Sequence, residues 1–409
     1  MISFNNTEIA FAYKTDAELK SAHFLFNLMG KPAMVKLGLN LIPGAIKINF
    51  PFAKGLVKST IFRQFVGGET LDATVPVVNK LADYKVQVIL DYGVEGGNDG
   101  ENGFSESTEQ FIRVIEFAAT QKNIPFMSIK VTGIARFSLL EIIDAGMKAA
   151  SGPLVDRYRD VIKALPKSEQ QEWSRVEERL RRICITAKDK RIGVLIDAEE
   201  TWIQDPVDAL AMVMMQEFNT RSVIVFNTYQ LYRHDRLSFL KENYDAAKRE
   251  NFTLGAKLVR GAYMEKERER ASEKKYPSPI QPDKTSCDAD YNEAVEFCLD
   301  RIAGISVIIA SHNEESNKLA VTVMASKGIG KDHSHVHFSQ LFGMSDQITF
   351  NLAAEGYSVS KYLPFGPIGD VIPYLMRRAE ENSSVAGQTG RELELIKTEL
   401  QRRKSAAKF

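Results

Sequence analysis

Leu254-Gly-Ala-Lys-Leu-Val259, followed at once by Arg260-Gly-Ala-Tyr263, is the segment from which the architecture of this 409-residue chain can be built. The run is short, nearly continuous in apolar character, and closes on charged and aromatic residues. A strand of a parallel sheet has that composition, because helices cover such a sheet on both faces. Seven further runs share the pattern, at 86–90, 126–131, 192–196, 223–226, 306–310, 335–338 and 357–362, with helical stretches between them. Eight such βα units predict an α/β fold closed as a distorted (βα)8 TIM-type barrel rather than an open doubly wound sheet.

The strand ends carry Asp91, Lys130, Asp197-Ala-Glu199, Gln230, Lys257 with Arg260, His312-Asn313, Gln340 and Tyr362. A βα-barrel builds its active site from the C-terminal ends of its strands. An open sheet would instead gather such residues at one switch point. Beyond the eighth run lies Tyr362-Leu-Pro-Phe-Gly-Pro-Ile-Gly-Asp-Val-Ile-Pro-Tyr374-Leu-Met-Arg377-Arg378-Ala-Glu-Glu381-Asn382. The spacing predicts a turn through Pro364, Gly366 and Pro367, then a helix with Pro373 in its first turn. Tyr374, Arg377 and Arg378 stand at i, i+3 and i+4 and share one helix face. One ring and two guanidinium forks suit a small anion with an apolar body, a carboxylate above all. The plain alternative is a surface pair balanced by Glu380 and Glu381.

Composition narrows the function classes. Lys+Arg and Asp+Glu are both 53, and that balance gives no support to nucleic-acid binding. Three cysteines, Cys184, Cys287 and Cys298, form no disulfide framework or zinc spacing, which points to a reducing compartment. The first residues lack a signal-peptide pattern, and no apolar run is long enough to span a bilayer. Residues 33–65 are apolar but broken by Lys36, Lys47, Lys54 and Lys58 and by Pro43, Gly44 and Pro51. Such a stretch either lies on a membrane surface or packs as an arm with its lysines in water. The expected organisation is a helical arm over 1–75, a barrel over 76–385 with a helical insertion at about 140–190, and a basic tail helix over 386–409. The highly charged helix at 168–188 is expected to be a solvated face.

Lys257 inside a barrel needs an anionic or electron-rich partner. It fits a Schiff-base lysine, a cation facing a cofactor, or an ion pair with a neighbouring carboxylate such as Asp197. Lys130 and Asp197 end adjacent strands and would pair or direct the lysine to a substrate carboxylate. His333, His335 and His337 alternate and would face one side of a strand, yet no carboxylate or cysteine stands at ligand spacing, so no metal is expected. Asn313 suits an N-cap. The glycine-rich stretch at 93–100 matches no phosphate-binding fingerprint and fits a loop over the barrel mouth.

Several motifs in order resemble the proline dehydrogenase family, including the proline-oxidising domain of bifunctional proline utilisation proteins. They are Ile-Leu-Asp91-Tyr-Gly-Val-Glu, Ser-Ile-Lys130-Val-Thr-Gly, Asp197-Ala-Glu-Glu-Thr, Asn-Thr-Tyr-Gln230, Lys257-Leu-Val-Arg-Gly-Ala-Tyr263, Ser-His312-Asn313, Phe-Ser-Gln340-Leu-Phe-Gly-Met, and the block from Tyr362 through Arg377-Arg378 to Glu381-Asn382. The resemblance covers residues 86–382. It implies FAD at the barrel mouth and L-proline beside it. Arg377, Arg378 and Lys130 would clamp the proline carboxylate, with Glu381 pairing the arginines. Tyr362, Tyr374 and Leu258 would shape the ring pocket, and Asp197 would orient the charged network. Gln230, Lys257, Val259, Gly261, Tyr263, His312, Asn313 and Gln340 match flavin-contacting positions, and Lys284 and Thr285 match a segment near the ribityl and adenine. Bifunctional members carry arginine at the position of Lys257, so a point charge here replaces a fork. Tyr362 favours unsubstituted proline, since hydroxyproline-preferring relatives have a smaller residue there. The resemblance further implies Δ1-pyrroline-5-carboxylate as product, the first step of proline catabolism to glutamate. It implies a membrane quinone as electron acceptor and a cytoplasmic protein with peripheral contact on the inner face of the cytoplasmic membrane, through residues 33–65 and the basic helix at 393–408. A Schiff-base aldolase, a hydroxyproline dehydrogenase and a non-catalytic binding barrel are the competing readings.

Overall fold

The computed structural model describes residues 2–31, 33–36, 38, 44, 53–93, 100–384 and 388–407. Eight parallel strands follow one another in sequence order: β1 (Gln87–Tyr92), β2 (Phe126–Ile129), β3 (Gly193–Ile196), β4 (Val225–Gln230), β5 (Leu254–Val259), β6 (Ile305–Ala310), β7 (Val336–Leu341) and β8 (Val359–Phe365). The sheet closes as the barrel β1-β2-β3-β4-β5-β6-β7-β8. This is the (βα)8 architecture anticipated from the apolar runs.

Four of the strands run further along the chain than the apolar runs imply. β1, β4, β7 and β8 extend past the ends of their runs, to Tyr92, Gln230, Leu341 and Phe365, whereas β2 stops at Ile129, short of the end of its run. Apolar character alone stops too early, because the final residues of a barrel strand can be polar and still hydrogen-bond in the ladder. Pro364 likewise lies within β8, opposite Asp91, and not in the turn.

Residues 94–337 form one compact unit. It holds β2 to β6 in parallel register, including Phe126↔Gly193 and Lys257↔Ile308. Gly255 permits the close approach of β4 and β5, since a Cβ there would lie 2.1 Å from the Val225 carbonyl oxygen. The charged helix Lys167–Lys190 is only half solvated. Trp173, Val176, Leu180, Ile183, Cys184 and Ala187 bury a continuous stripe together with Arg179, while Arg181 and Arg182 pair with Glu217 and Glu109 outside it. The three histidines do not share a strand face. His333 lies in the preceding turn, His335 bonds the Ile302 carbonyl from outside the strand, and only His337 is in β7. Burial lowers the His337 pKa to about 3, so it is a neutral core residue against Phe126. No group of metal-ligating side chains occurs among the described residues.

Residues 1–93 with 338–409 form the other unit. β1 pairs with β8 from Gln87↔Ser360 to Tyr92↔Phe365. The helices Asp16–Met29, Ile368–Ser384 and Gln388–Ala406 share a core of Phe26, Phe65, Val371, Leu375, Leu395 and Ile396. A capping box at Thr15 and Glu18 starts the first of these. Beneath this core a buried charge cluster ties distant segments together. Asp346 accepts from Tyr13 Oη at 2.7 Å and pairs with Lys361 at 2.9 Å and Lys14 at 3.1 Å. Burial alone would raise the Asp346 carboxyl, but the two lysines overcome it and hold it at about 2. Glu392, on the C-terminal helix, accepts from the Ser345 N–H and is pushed by burial up to about 7.

The basic character of that C-terminal helix is largely spent within the protein. Arg403 donates to Glu399, Asp16 and the Phe11 carbonyl, and Arg402 pairs with Glu399 and Glu8. Residues 37, 39–43 and 45–52 of the stretch at 33–65, including Pro43, Lys47 and Pro51, lie outside the described residues, as do residues 94–99 of the glycine-rich loop. Among the described residues no helix is long and apolar enough to cross a membrane.

Candidate active site

Helix Ile368–Ser384 carries Tyr374, Arg377 and Arg378, the three residues read from their spacing as one face. It begins five residues before Pro373, which is therefore inside the helix and not in its first turn. A proline there removes the N–H that would meet the Gly369 carbonyl. Arg378 is not a surface residue: it is 4% exposed. Its Nη2 donates to Glu381 Oε1 at 2.6 Å, and its guanidinium lies 5.1 Å from the centre of the Tyr374 ring. The balancing acid is thus Glu381, while Glu380 is exposed. Desolvation raises the Glu381 carboxyl against the pull of Arg378 and Arg377. Two donors on this face, Arg378 Nε and Tyr374 Oη, are buried and meet no acceptor among the described residues. Arg377 is half-buried beside them. In the same unit Tyr362 is buried in β8, and the Gln340 side chain accepts from Thr349 Oγ1 at 2.8 Å.

In residues 94–337 the strand ends form a second charged group. Lys257 of β5 pairs with Asp197, which follows β3, and both are buried. The partner weighed for Lys257 from sequence is therefore the one it has. Lys130 follows β2 and sits close enough to Glu199 to lower its carboxyl, although burial dominates and brings Glu199 to about 7. Glu199 accepts from the Thr132 N–H at 3.2 Å and from Thr132 Oγ1 at 2.6 Å. Gln230 Nε2 donates to the Glu199 carbonyl at 3.1 Å, and Gln230 Oε1 is buried without a partner among the described residues. Leu258 is fully buried in β5. Past Val259, Arg260 is fixed by Asp288 at 2.8 Å, Ser311 at 2.8 Å and Ser316 at 2.9 Å, and stacks on Tyr291. Gly261 has φ +141, and a Cβ there would meet the Tyr232 ring at 2.5 Å. Tyr263 precedes helix Met264–Lys274. His312 is half-buried, and Asn313 caps helix Glu314–Ser326 by accepting from Ser316 N at 3.0 Å, as its residue type predicted. Lys284 and Thr285 begin helix Lys284–Asp300 at an exposed end, with Lys284 paired to Asp288.

A family model described as proline dehydrogenase matches residues 75–391. The chain belongs to the proline dehydrogenase family. It is 31% identical to a hydroxyproline dehydrogenase of Xenopus laevis, over 98% of this chain and 90% of the relative. It is 35% identical to the carbapenem antibiotics biosynthesis protein CarD of Pectobacterium carotovorum subsp. carotovorum, over 86% of each. Mitochondrial proline dehydrogenase 1 of Arabidopsis thaliana is 33% identical, over 85% of this chain and 75% of the relative. Among solved structures, proline utilization A from Bdellovibrio bacteriovorus inactivated by N-propargylglycine superposes with a TM-score of 0.69 at 20% identity. That likeness covers 96% of this chain but 38% of the larger protein, and it concerns the fold. Family membership sets aside the Schiff-base aldolase and the non-catalytic barrel. The protein is an enzyme of the proline dehydrogenase family and an oxidoreductase on a TIM barrel.

Sequence reasoning missed Thr132 and Glu267 as contributors to the strand-end loops and treated Glu199 only as part of a motif. Thr132 stands two residues after Lys130, and that spacing was the available signal. Glu267 lies in a run of charged residues that offers none.

Proposed function

We propose that this enzyme oxidises L-proline with FAD, binding the substrate carboxylate on the Tyr374–Arg378 face. The observation that carries this reading is the pair of buried donors, Arg378 Nε and Tyr374 Oη, that meet no acceptor among the described residues, on a face whose guanidinium is already neutralised on one edge by Glu381. A buried donor without an acceptor is costly, and a bound carboxylate relieves two of them at once. The family resemblance adds Arg377 and Lys130 to the clamp and Tyr362 and Leu258 to the ring pocket.

The residues fit a flavin by their own chemistry. Gln230 Oε1 is a buried acceptor that meets no donor among the described residues, which suits a ring N–H, and Gly261 keeps the chain open where any side chain would strike Tyr232. Gln230, Lys257, Val259, Gly261, Tyr263, His312, Asn313 and Gln340 would hold FAD, with Lys284 and Thr285 toward its distal end. When bound, FAD would accept a hydride equivalent from the ring carbon next to nitrogen while the nitrogen loses its proton, giving Δ1-pyrroline-5-carboxylate. The protein's part is positioning: a carboxylate held at several points fixes the ring. Arg378 supplies a fork fixed by Glu381, Tyr374 supplies an O–H beneath it, and Asp197 orients Lys257.

Electrons would pass to a membrane quinone, with the protein at the inner face of the cytoplasmic membrane. Phe24, Met34 and Leu56 are 64%, 47% and 63% exposed and border an apolar cavity of about 870 Å³ in residues 1–93 with 338–409. Unpaired apolar side chains of that size suit lipid contact. With Arg402 and Arg403 engaged internally, this patch is the better candidate. Hydroxyproline is the second substrate reading, motivated by the Xenopus laevis relative, and the bulk of Tyr362 opposes it. The deciding measurement is the visible spectrum of purified protein. A flavin band bleached by proline faster than by hydroxyproline is expected, and no band after FAD reconstitution would overturn the reading.

A further inference from the structure

The loops after β2, β3 and β5 are joined by two forks of the same design. In each, one carboxylate accepts both the N–H and the O–H of a threonine on another loop. Glu199 takes Thr132 in this way, at 3.2 Å and 2.6 Å. Glu267 takes Thr201, at 2.7 Å and 2.7 Å. All four residues are buried, and Glu267 is fully so. The partners lie 67 and 66 positions apart, so neither fork belongs to local turn geometry.

The forks are arranged in series. Glu267, on helix Met264–Lys274, grips Thr201. Two residues back, Glu199 grips Thr132, which stands two residues after Lys130. Between them Glu200 pairs with Lys266 of the same helix, and Trp202 stacks under Arg270 at 4.1 Å. Asp197, at the start of this loop, is tied to Lys257. A two-point hydrogen bond fixes both the backbone and the rotamer of its threonine, which a single bond does not. Burying the Glu199 carboxylate is unfavourable enough to raise its pKa to about 7. An apolar contact would hold the loop more cheaply, so this arrangement selects one geometry over tighter packing.

We propose that Glu199 and Glu267 are positioning residues, forming a relay of carboxylate–threonine forks that sets Lys130 and Asp197 for substrate binding. The proposal rests on the assignment of Lys130 and Asp197 to the proline site. Helix Met264–Lys274 thereby controls, through the β3 loop, a lysine on the β2 loop that it does not itself grip.

The test uses Glu267→Gln, Thr201→Val and Thr201→Ser in the full-length protein, with two readouts. Amide exchange followed by mass spectrometry reports residues 130–133 without any turnover. Kinetics with proline report the site. Glu267→Gln and Thr201→Val are expected to speed exchange at the Thr132 amide and to lower kcat/KM by about 10- to 100-fold, chiefly through KM, since a misplacement of about 1 Å has effects of that order. Thr201→Ser keeps the O–H and restores both. Unchanged exchange at 130–133 in Glu267→Gln overturns the relay. Faster exchange with unchanged kinetics overturns its role in positioning. If wild-type protein shows no flavin and no proline turnover, the proposed function fails, while the exchange experiment still decides whether the forks are coupled.

Discussion

Replacing Arg378 with methionine tests the site at its centre. The substitution keeps apolar volume and removes the guanidinium that now donates to Glu381 at 2.6 Å and lies over Tyr374. Two losses follow, and they separate experimentally. The first is to the fold. Removing one partner of a fully buried pair costs about 3–5 kcal/mol. The Glu381 side chain is 36% exposed and its pKa is already raised, so water and a proton relieve it and the loss should fall below that range. The second is to the substrate. Truncating one member of a desolvated charge pair at an interface costs about 2–5 kcal/mol. At about 1.36 kcal/mol per decade this is roughly a 30- to 5,000-fold rise in the proline KM. Steady-state kinetics, flavin absorbance and thermal melting on one preparation resolve the two. The expected result is a raised KM, retained FAD and a modest drop in melting temperature, with Arg378→Lys recovering part of the KM because it restores charge without the fork. An unchanged KM in both Arg378→Met and Arg377→Met would show that the carboxylate is held elsewhere and would refute the assignment of this face.

Lys257→Met should destabilise the protein by about 3–5 kcal/mol in urea titration, because Asp197 is left buried without its cation; equal stability would mean that the pair contributes nothing. Gly261→Ala forces a side chain into left-handed backbone against the Tyr232 ring, and should lower the flavin-to-protein absorbance ratio at a strain of about 1–3 kcal/mol. Glu392 has its pKa raised from 4.5 to about 7, so its protonated form favours the fold below pH 4.5 and that contribution is lost as pH rises through 7. Glu392→Gln should therefore remove up to about 3 kcal/mol of the wild-type decline in stability between pH 5 and 8, read by denaturant titration at each pH; a parallel pH profile would contradict it. Phe24→Ser with Leu56→Ser should reduce co-sedimentation with anionic phospholipid vesicles, and equal binding would move the membrane contact elsewhere.

The barrel was legible because its signal is local. A parallel strand covered on both faces must be apolar throughout, so runs such as Leu254–Val259 announce themselves without any knowledge of their neighbours. The shared face of Tyr374, Arg377 and Arg378 was legible for the same reason, since helical period follows from spacing alone. Asn313 as a cap needed only its own side chain and the three residues after it. Tertiary structure decided everything that depends on what approaches from far along the chain. It buried Arg378 and chose Glu381 over Glu380. It gave Lys257 to Asp197, 60 positions away, and left Tyr374 Oη, Arg378 Nε and Gln230 Oε1 without acceptors or donors among the described residues. It carried β8 through Pro364 and set Pro373 inside a helix. It also joined Glu267 to Thr201 and Glu199 to Thr132. Period and propensity act over a few residues, whereas burial and ion pairing are settled by the whole packed chain. The sequence therefore determined the barrel and the kinds of residue at its strand ends, and packing determined which of those residues neutralise one another and which remain to meet a ligand.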